Sequence, residues 1–275
     1  VGEPLAPKTG KYIDNLLFIL QVFCFSGTMI SNRPLSLYRC GAFRTKGWNE
    51  AMEFPKHPFR THGGAAVPHH KNTWDTPTAT MPPPEKVILP MQQHIGAPCI
   101  PTVKKGDHVY VGTVVGDNEA YMSVPVHSSV SGVVVESDGA MEKDPGIYPP
   151  APITTKEELA SAARSAGLVG LGGAGFPAHV KLNVPEGKQI DTLLVNVAEC
   201  EPYVTSDHRE ALENGRNVLE GIYKVKEILG VQRVIIAVED NKPDVIQKLT
   251  EIAGDPKRDP RDEVRVLALK SRYPQ

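Results

Sequence analysis

Cysteine is scarce in this 275-residue chain, and its spacing excludes more than its number does. Cys24, Cys40, Cys99 and Cys200 are the four. No two stand as C-x-x-C, so neither a zinc ribbon nor a ferredoxin-type iron–sulfur site can be assembled from them. Their wide, irregular spacing, with no convincing secretory signal, fits free thiols in a reducing compartment. An excess of one charge is also lacking. Lys and Arg number 30 against 32 Asp and Glu, giving a formal net charge of −2, and the sequence pI is near 6.5. That argues against a nucleic-acid binder, which usually shows a basic patch. Long apolar runs are missing too. Leu16 to Ile30 is apolar but interrupted by Gln21, short of the roughly 20 residues a spanning helix needs. No A-x-A-like cleavage site follows it. No Ser-His-Asp or Cys-His arrangement stands at a recognisable spacing, so no catalytic side chain is expected. His62, His69 and His70 are irregularly spaced, without an accompanying carboxylate or cysteine, and read as loop histidines rather than metal ligands.

What the chain does have is a glycine loop, GLVGLGGAGFPAHVK, from Gly167 to Lys181. Gly170, Gly172, Gly173 and Gly175 leave almost no side chains there, so a flat or phosphorylated ligand can approach the backbone N–H groups. Lys181, six residues past the last glycine, offers a phosphate its counter-charge. After a short gap comes IDTLLVNVAECEPYVTSDHR, Ile190 to Arg209. Its apolar run Thr192 to Val195 ends in Asn196, Glu199 and Glu201, and open α/β sheets bind their ligands at the carboxyl ends of buried strands. Together the two stretches predict a site for a phosphorylated aromatic cofactor. Gly170 to Gly175 also fits G-x-G-x-x-G, but the dinucleotide fingerprint requires a strand before it and a long helix after it. Here the preceding TTKEELASAARSAG reads as a helix, with Thr155 and Glu158 as a capping box and Gly167 at C′. Pro177 is tolerable only in a first helical turn.

The helix, the GGAGFP loop, the following lysine and the strand ending in Asn-Val-Ala-Glu resemble the flavin-binding domain of the flavoprotein subunit of respiratory NADH:quinone oxidoreductase. GGAGFPAHVKL and NVAECEPYVTSDHR are more similar still to the C subunit of the Rnf electron-transport complex. The resemblance runs from about Phe54 to Gln275. It implies that Gly170, Gly172, Gly173, Gly175, Lys181, Asn196 and Glu199 line FMN, and that Phe176 and Glu201 face NADH. Leu171 stands where the respiratory branch often has Arg, and Ala198 where it has an acidic residue. The Rnf branch shares both departures, which leaves the nucleotide contacts less fixed than the flavin ones. The family also carries two four-cysteine [4Fe-4S] motifs and further flavin contacts beyond the position of Gln275. The expectation is therefore a truncated chain that binds FMN weakly and does not turn over.

Along the chain, residues 1–51 do not resemble the family and are left as an unassigned extension. Met52 opens the resembling part, and Phe54 to Pro84 reads as an irregular segment wrapped on the domain that follows. Short β-rich runs separated by Gly turns, from Lys86 to Val135, resemble the barrel-sandwich hybrid of biotinyl and lipoyl carriers. The tip Gly116 to Ala120 lacks their lysine, so a swinging carrier is not expected. One strand pair of the barrel's second half looks missing, exposing an edge. His94 and His127 fall in family strings and read as structural. The C-terminal half alternates strands (Leu193–Val197, Arg233–Val238, Val264–Leu269) with helices. One helix is expected from Asp207, capped with Glu210, and another is capped by Asn241. The predicted fold class is thus α/β plus β: an all-β barrel-sandwich hybrid at 52–150, then an incomplete α/β domain with a mostly parallel sheet at 151–275. Glu239, Asp240 and Asn241 follow a strand end and are within reach of a ligand there.

The function implied by the resemblance is electron entry, from NADH through FMN to iron–sulfur centres. The partners would be the other Rnf subunits, with peripheral attachment at the cytoplasmic membrane face. Two alternatives stand beside it. One is a non-catalytic docking or scaffold module. The other is a related flavoprotein, of the cobalamin-reducing or proline-reductase-associated kind.

Overall fold

Two groups of strands with opposite character build the chain, short antiparallel pairs first and long parallel strands afterwards. The computed structural model describes residues 64–134, 136–147, 151–170, 175–199, 201–254 and 263–272. They fall into two compact units, one made of Thr78–Asn183 and the other of 64–77 together with 184–272.

In the first unit, β1 (Ile100–Pro101), β3 (Val114–Asp117) and β4 (Val126–His127) form a three-stranded sheet in the order β1-β3-β4. A second sheet takes β2 (His108–Val109), β5 (Gly132–Val133) and β6 (Glu136–Ser137) in the order β2-β5-β6. Every pairing is antiparallel. Cys99, Val109, Val115 and Val126 are buried between these strands, with Leu89, Met91, Val103 and Val134 packed against them. In the second sheet β5 sits between β2 and β6. Helix α1 (Lys156–Ser165) begins with the expected capping box at Thr155 and Glu158. Gly167 follows its end in the left-handed region at φ 68°. A side chain there would meet the Pro125 carbonyl at 2.5 Å and the His127 ring at 2.9 Å. Helix α2 (Ala178–Leu182) is a single turn with Pro177 as its N-cap, far shorter than the helix a dinucleotide fingerprint requires.

In the second unit β7 (Thr192–Val197), β8 (Arg233–Glu239) and β9 (Glu263–Leu269) run parallel in that order. Leu193, Val195 and Val197 of β7 and Val234, Ile236 and Val238 of β8 are buried, the alternation by which a strand commits one face to a core. The connections are α3 (Ser206–Glu213), α4 (Gly215–Leu229) and α5 (Pro243–Ala253). Leu219, Ile222, Val225 and Leu229 line the buried face of α4, and Gly230 ends it in the left-handed conformation. Two helix starts differ from expectation. The N-cap of α3 is Thr205, not Asp207, and the helix breaks at Asn214 before α4. The N-cap of α5 is Lys242, not Asn241. For α3 the reason is a remote carboxylate. Glu199 accepts from the Asp207 amide, so a first-turn donor is satisfied without a local cap. The segment 64–77 packs in this second unit rather than with the small sheets that follow it in sequence.

Candidate functional site

The parallel sheet ends in a buried network of charges. Glu199, two residues past β7, is 2% exposed. Its Oε2 accepts from Lys71 Nζ at 2.8 Å and lies 3.0 Å from Lys242 Nζ. Its Oε1 accepts from the amide of Asp207 at 2.9 Å and from that of His208 at 3.5 Å. Lys242 is wholly buried. Its Nζ lies 2.7 Å from Glu239 Oε2, at the end of β8, and donates to the Val197 carbonyl at 3.3 Å. Glu239 also takes the Glu199 amide at 3.1 Å. Lys71 donates once more, to the Val204 carbonyl at 2.6 Å. Charges are removed from water in this way only when ion pairs and hydrogen bonds replace their hydration. Here two lysines face two glutamates, and strand ends β7 and β8 are tied to each other and to the segment 64–77.

Asp207, beside this network, is a third carboxylate. Its Oδ2 is buried and has no hydrogen-bond partner among the described residues. Burial pushes its pKa up to about 7, and Glu199, Glu239 and Glu201 push the same way while Lys242 opposes them. Next to it, His208 Nε2 lies 2.8 Å from Asp244 Oδ2. At the end of β8, Asp240 accepts from Lys270 Nζ at 2.8 Å and from the amide and hydroxyl of Ser271 at 3.0 Å. Burial alone would raise that carboxyl, but these donors hold it below the ordinary aspartate value. An open cleft of about 630 Å³ lies in the same unit, lined by His69, Lys71, Asn72, Trp74, His208 and Asn241 among others.

The sequence-predicted residues divide between the two units. Gly170, Gly175, Phe176 and Lys181 belong to the first. The described ends of the glycine loop are held together: Val169 bridges Pro177, and the Gly170 amide donates to the Phe176 carbonyl at 2.9 Å. Gly175 has φ 60°, and a side chain there would meet the Gln93 carbonyl oxygen at 2.7 Å. The Lys181 ammonium lies 5.5 Å from the centre of the Phe176 ring, within cation–π range. Gly172 and Gly173 lie outside the described residues, as does Cys200. Asn196, Glu199 and Glu201 belong to the second unit. Asn196 is on β7, where its Oδ1 accepts from the Ala198 amide at 2.9 Å, and Glu201 is exposed. His94 is buried beside Cys99, Ser123 and Val124, its Nε2 3.4 Å from both the Ser123 hydroxyl and the Val124 amide. Burial holds the pKa of His127 below the ordinary histidine value.

Two domain families account for most of the chain. Residues 59–146 match the RnfC barrel sandwich hybrid domain, and residues 163–275 match the Nuo51 FMN-binding domain. Whole proteins match as well. The C subunit of the Na(+)-translocating ferredoxin:NAD(+) oxidoreductase complex of Acetobacterium woodii is 41% identical over 237 residues, covering 78% of this chain and 52% of that protein. Its proton-translocating counterpart from Clostridium ljungdahlii is 37% identical over 227 residues, or 74% and 48%. The C subunit of the ion-translocating oxidoreductase complex of Rhodobacter capsulatus is 34% identical over 218 residues, or 71% and 42%. The chain belongs to the RnfC family. It spans about half the length of these relatives.

Within the stretch that matches the FMN-binding domain, sequence reading found Glu199 but missed what surrounds it. Lys242 had a signal, since it lies three residues after a glutamate at a strand's carboxyl end. Lys71 had none, because the partner that explains it is 128 residues away. Asp207 was read as a helix cap, the ordinary reason for an aspartate at a helix start.

Proposed function

We propose that the chain is the electron-entry part of an ion-translocating oxidoreductase, passing electrons between NADH and iron–sulfur centres through FMN. The observation that carries this reading is position. Within the stretch matching the FMN-binding domain, Asn196, Glu199 and Glu201 stand at or just past the carboxyl end of β7, and Glu239 to Lys242 at that of β8. Open α/β sheets take their ligands at such ends. The residues present suit a phosphorylated aromatic cofactor: Lys181 is a half-buried cation, and the described ends of the glycine loop are tied by the Val169–Pro177 bridge. In this reading Gly170, Gly172, Gly173, Gly175, Lys181 and Asn196 line the flavin, and Phe176 and Glu201 face the nicotinamide nucleotide. Glu199 acts on the flavin side by holding the first turn of α3 in place, its carboxylate being occupied by Lys71, Lys242 and the amides of Asp207 and His208. FMN, once bound, would supply the hydride-to-single-electron chemistry, while the protein orients it and sets its electrostatics.

The partners in this proposal are the other members of an Rnf-type complex, which would carry the iron–sulfur route onward. Attachment would be peripheral, at the cytoplasmic membrane face. No helix among the described residues is long and apolar enough to cross a membrane. The division into a barrel-sandwich domain at 52–150 and a flavin domain at 151–275 is part of the same proposal.

Titrating the protein with FMN and following flavin fluorescence tests the reading, with weak binding expected. Gly173→Val should abolish binding. Lys181→Ala should weaken it by about 1.5–3 kcal/mol, the scale of a hydrogen bond to a charged group. Unchanged binding in Gly173→Val would show that the loop is not the site. The occupied carboxylate of Glu199 favours a second reading, a docking module in which the network is purely structural. Absence of FMN binding at any concentration would decide for it.

A further inference from the structure

Counting the charges around Glu199 leaves one group over. Lys71 and Lys242 are matched by Glu199 and Glu239, each contact at 3.0 Å or less. With those four ionised the buried network is neutral. Asp207 is the carboxylate that remains. Its amide is already used on Glu199, its Oδ2 is buried, and no donor among the described residues reaches that oxygen. The charged and titratable groups around it are Lys242 from the start of α5, Glu239 from the end of β8, and Glu199 and Glu201 from the loop after β7. Lys71 comes from the segment 64–77, and His208, its neighbour on α3, is paired with Asp244. Three of those carboxylates repel an ionised Asp207, and Lys242 is committed to Glu199, Glu239 and the Val197 carbonyl. The first turn of α3 would ordinarily favour an anion. Here burial and like charge outweigh it.

We propose that Asp207 is the proton-accepting group of the cofactor site, taking up a proton when an anionic, phosphorylated cofactor binds at the carboxyl end of the parallel sheet. The inference rests on the FMN reading above. The step balances simply: the carboxylate of Asp207 and a solvent proton become the neutral acid, and no bond in the ligand changes. The network is neutral with Asp207 protonated and carries one excess negative charge with it ionised. An anionic ligand seated at these strand ends would add negative charge there, and a nearby like charge favours the protonated form of a carboxylate. Linkage works in both directions, so FMN would bind more tightly as the pH falls through neutrality. Burial pushes the pKa of Asp207 up to about 7, which leaves the proton free to respond near neutrality.

The test is infrared spectroscopy of the 275-residue protein from pH 5 to 9, without FMN and with FMN raised to saturation by its fluorescence. The wild type should show a protonated-carboxyl C=O band that disappears with a midpoint near pH 7. Bound FMN should move that midpoint upward by half a pH unit or more. Asp207→Asn should lack the band and lose the pH dependence of FMN affinity. Asp207→Ser, which removes the acid without an amide, should agree with it. An unshifted midpoint with FMN bound overturns the proposal, as does a band that survives in both variants. These results leave the flavin reading standing. Failure of the wild type to bind FMN overturns the flavin reading and this proposal with it, and the fluorescence titration separates that outcome from the others. The wild-type midpoint shift decides even if a variant does not fold.

Discussion

Asp207 also makes a prediction that needs no ligand. Its folded pKa, about 7, lies above the ordinary aspartate value of 3.8, so between those values the folded chain holds a proton that the unfolded chain releases. Stability from this group is fully present below about pH 3.8 and is lost as the pH rises through 7. The size is on the order of a few kcal/mol, since each pKa unit is worth about 1.4 kcal/mol. Urea melts from pH 5 to 8 should therefore show stability falling with pH, and Asp207→Asn should flatten the slope. A parallel slope in the variant would mean that another group titrates. Neighbouring carboxyls behave oppositely for local reasons. Asp240 accepts from Lys270 and Ser271, and its pKa falls despite partial burial. Donor supply, not burial alone, separates the two aspartates.

At the scale of elements, Gly175 is a point in the chain where the backbone tolerates little change. It combines φ 60° with a protein carbonyl 2.7 Å from where a side chain would begin. Its own carbonyl accepts from the Ile95 amide at 3.2 Å. Gly175→Ala should cost about 1–3 kcal/mol, the range for a non-glycine residue forced into such a conformation. The loss should appear in the urea midpoint with the slope unchanged. Local chemistry of this kind is what the sequence made readable. The capping box at Thr155 and Glu158, the proline before α2, the Gly230 stop and the alternation along β7 and β8 each sit within a few residues of the feature they specify. Parallel pairing followed from strands alternating with helices. The starts of α3 and α5 were misread because their charges belong to a network spanning distant segments. The Asp207 amide is satisfied by Glu199, eight residues upstream, and Lys242 by two glutamates and a carbonyl. The half of the candidate site that was legible, Asn196 to Glu201, lies at a strand end. The half that was not, Lys71 and Asp207, acquires meaning only once the chain is folded.

For the whole molecule, the notable fact is the order in which the chain builds its units. Residues 64–77 precede the small antiparallel sheets, yet they belong to the unit of the parallel sheet, whose strands begin more than a hundred residues later. An irregular segment with no strand or helix of its own needs side-chain anchors, and these can be named. Lys71 is bound to Glu199 and the Val204 carbonyl, the Thr73 and Thr205 hydroxyls are 2.6 Å apart, and Arg209 donates to the Trp74 carbonyl at 3.1 Å. Among these, Lys71 is the one whose loss leaves a buried charge short of a partner. Removing one side of a buried ion pair costs about 3–5 kcal/mol, and the lower end applies here because Lys242 still faces Glu199. Lys71→Met keeps most of the side-chain volume and removes the charge. Hydrogen exchange on the full chain should then show protection lost in 64–77 and in the 197–209 region. The strands 100–134 of the other unit should keep theirs. Uniform loss over both units would mean that the chain unfolds as one block. Unchanged protection at 197–209 would mean that the Lys71 pair does not hold the strand ends in place.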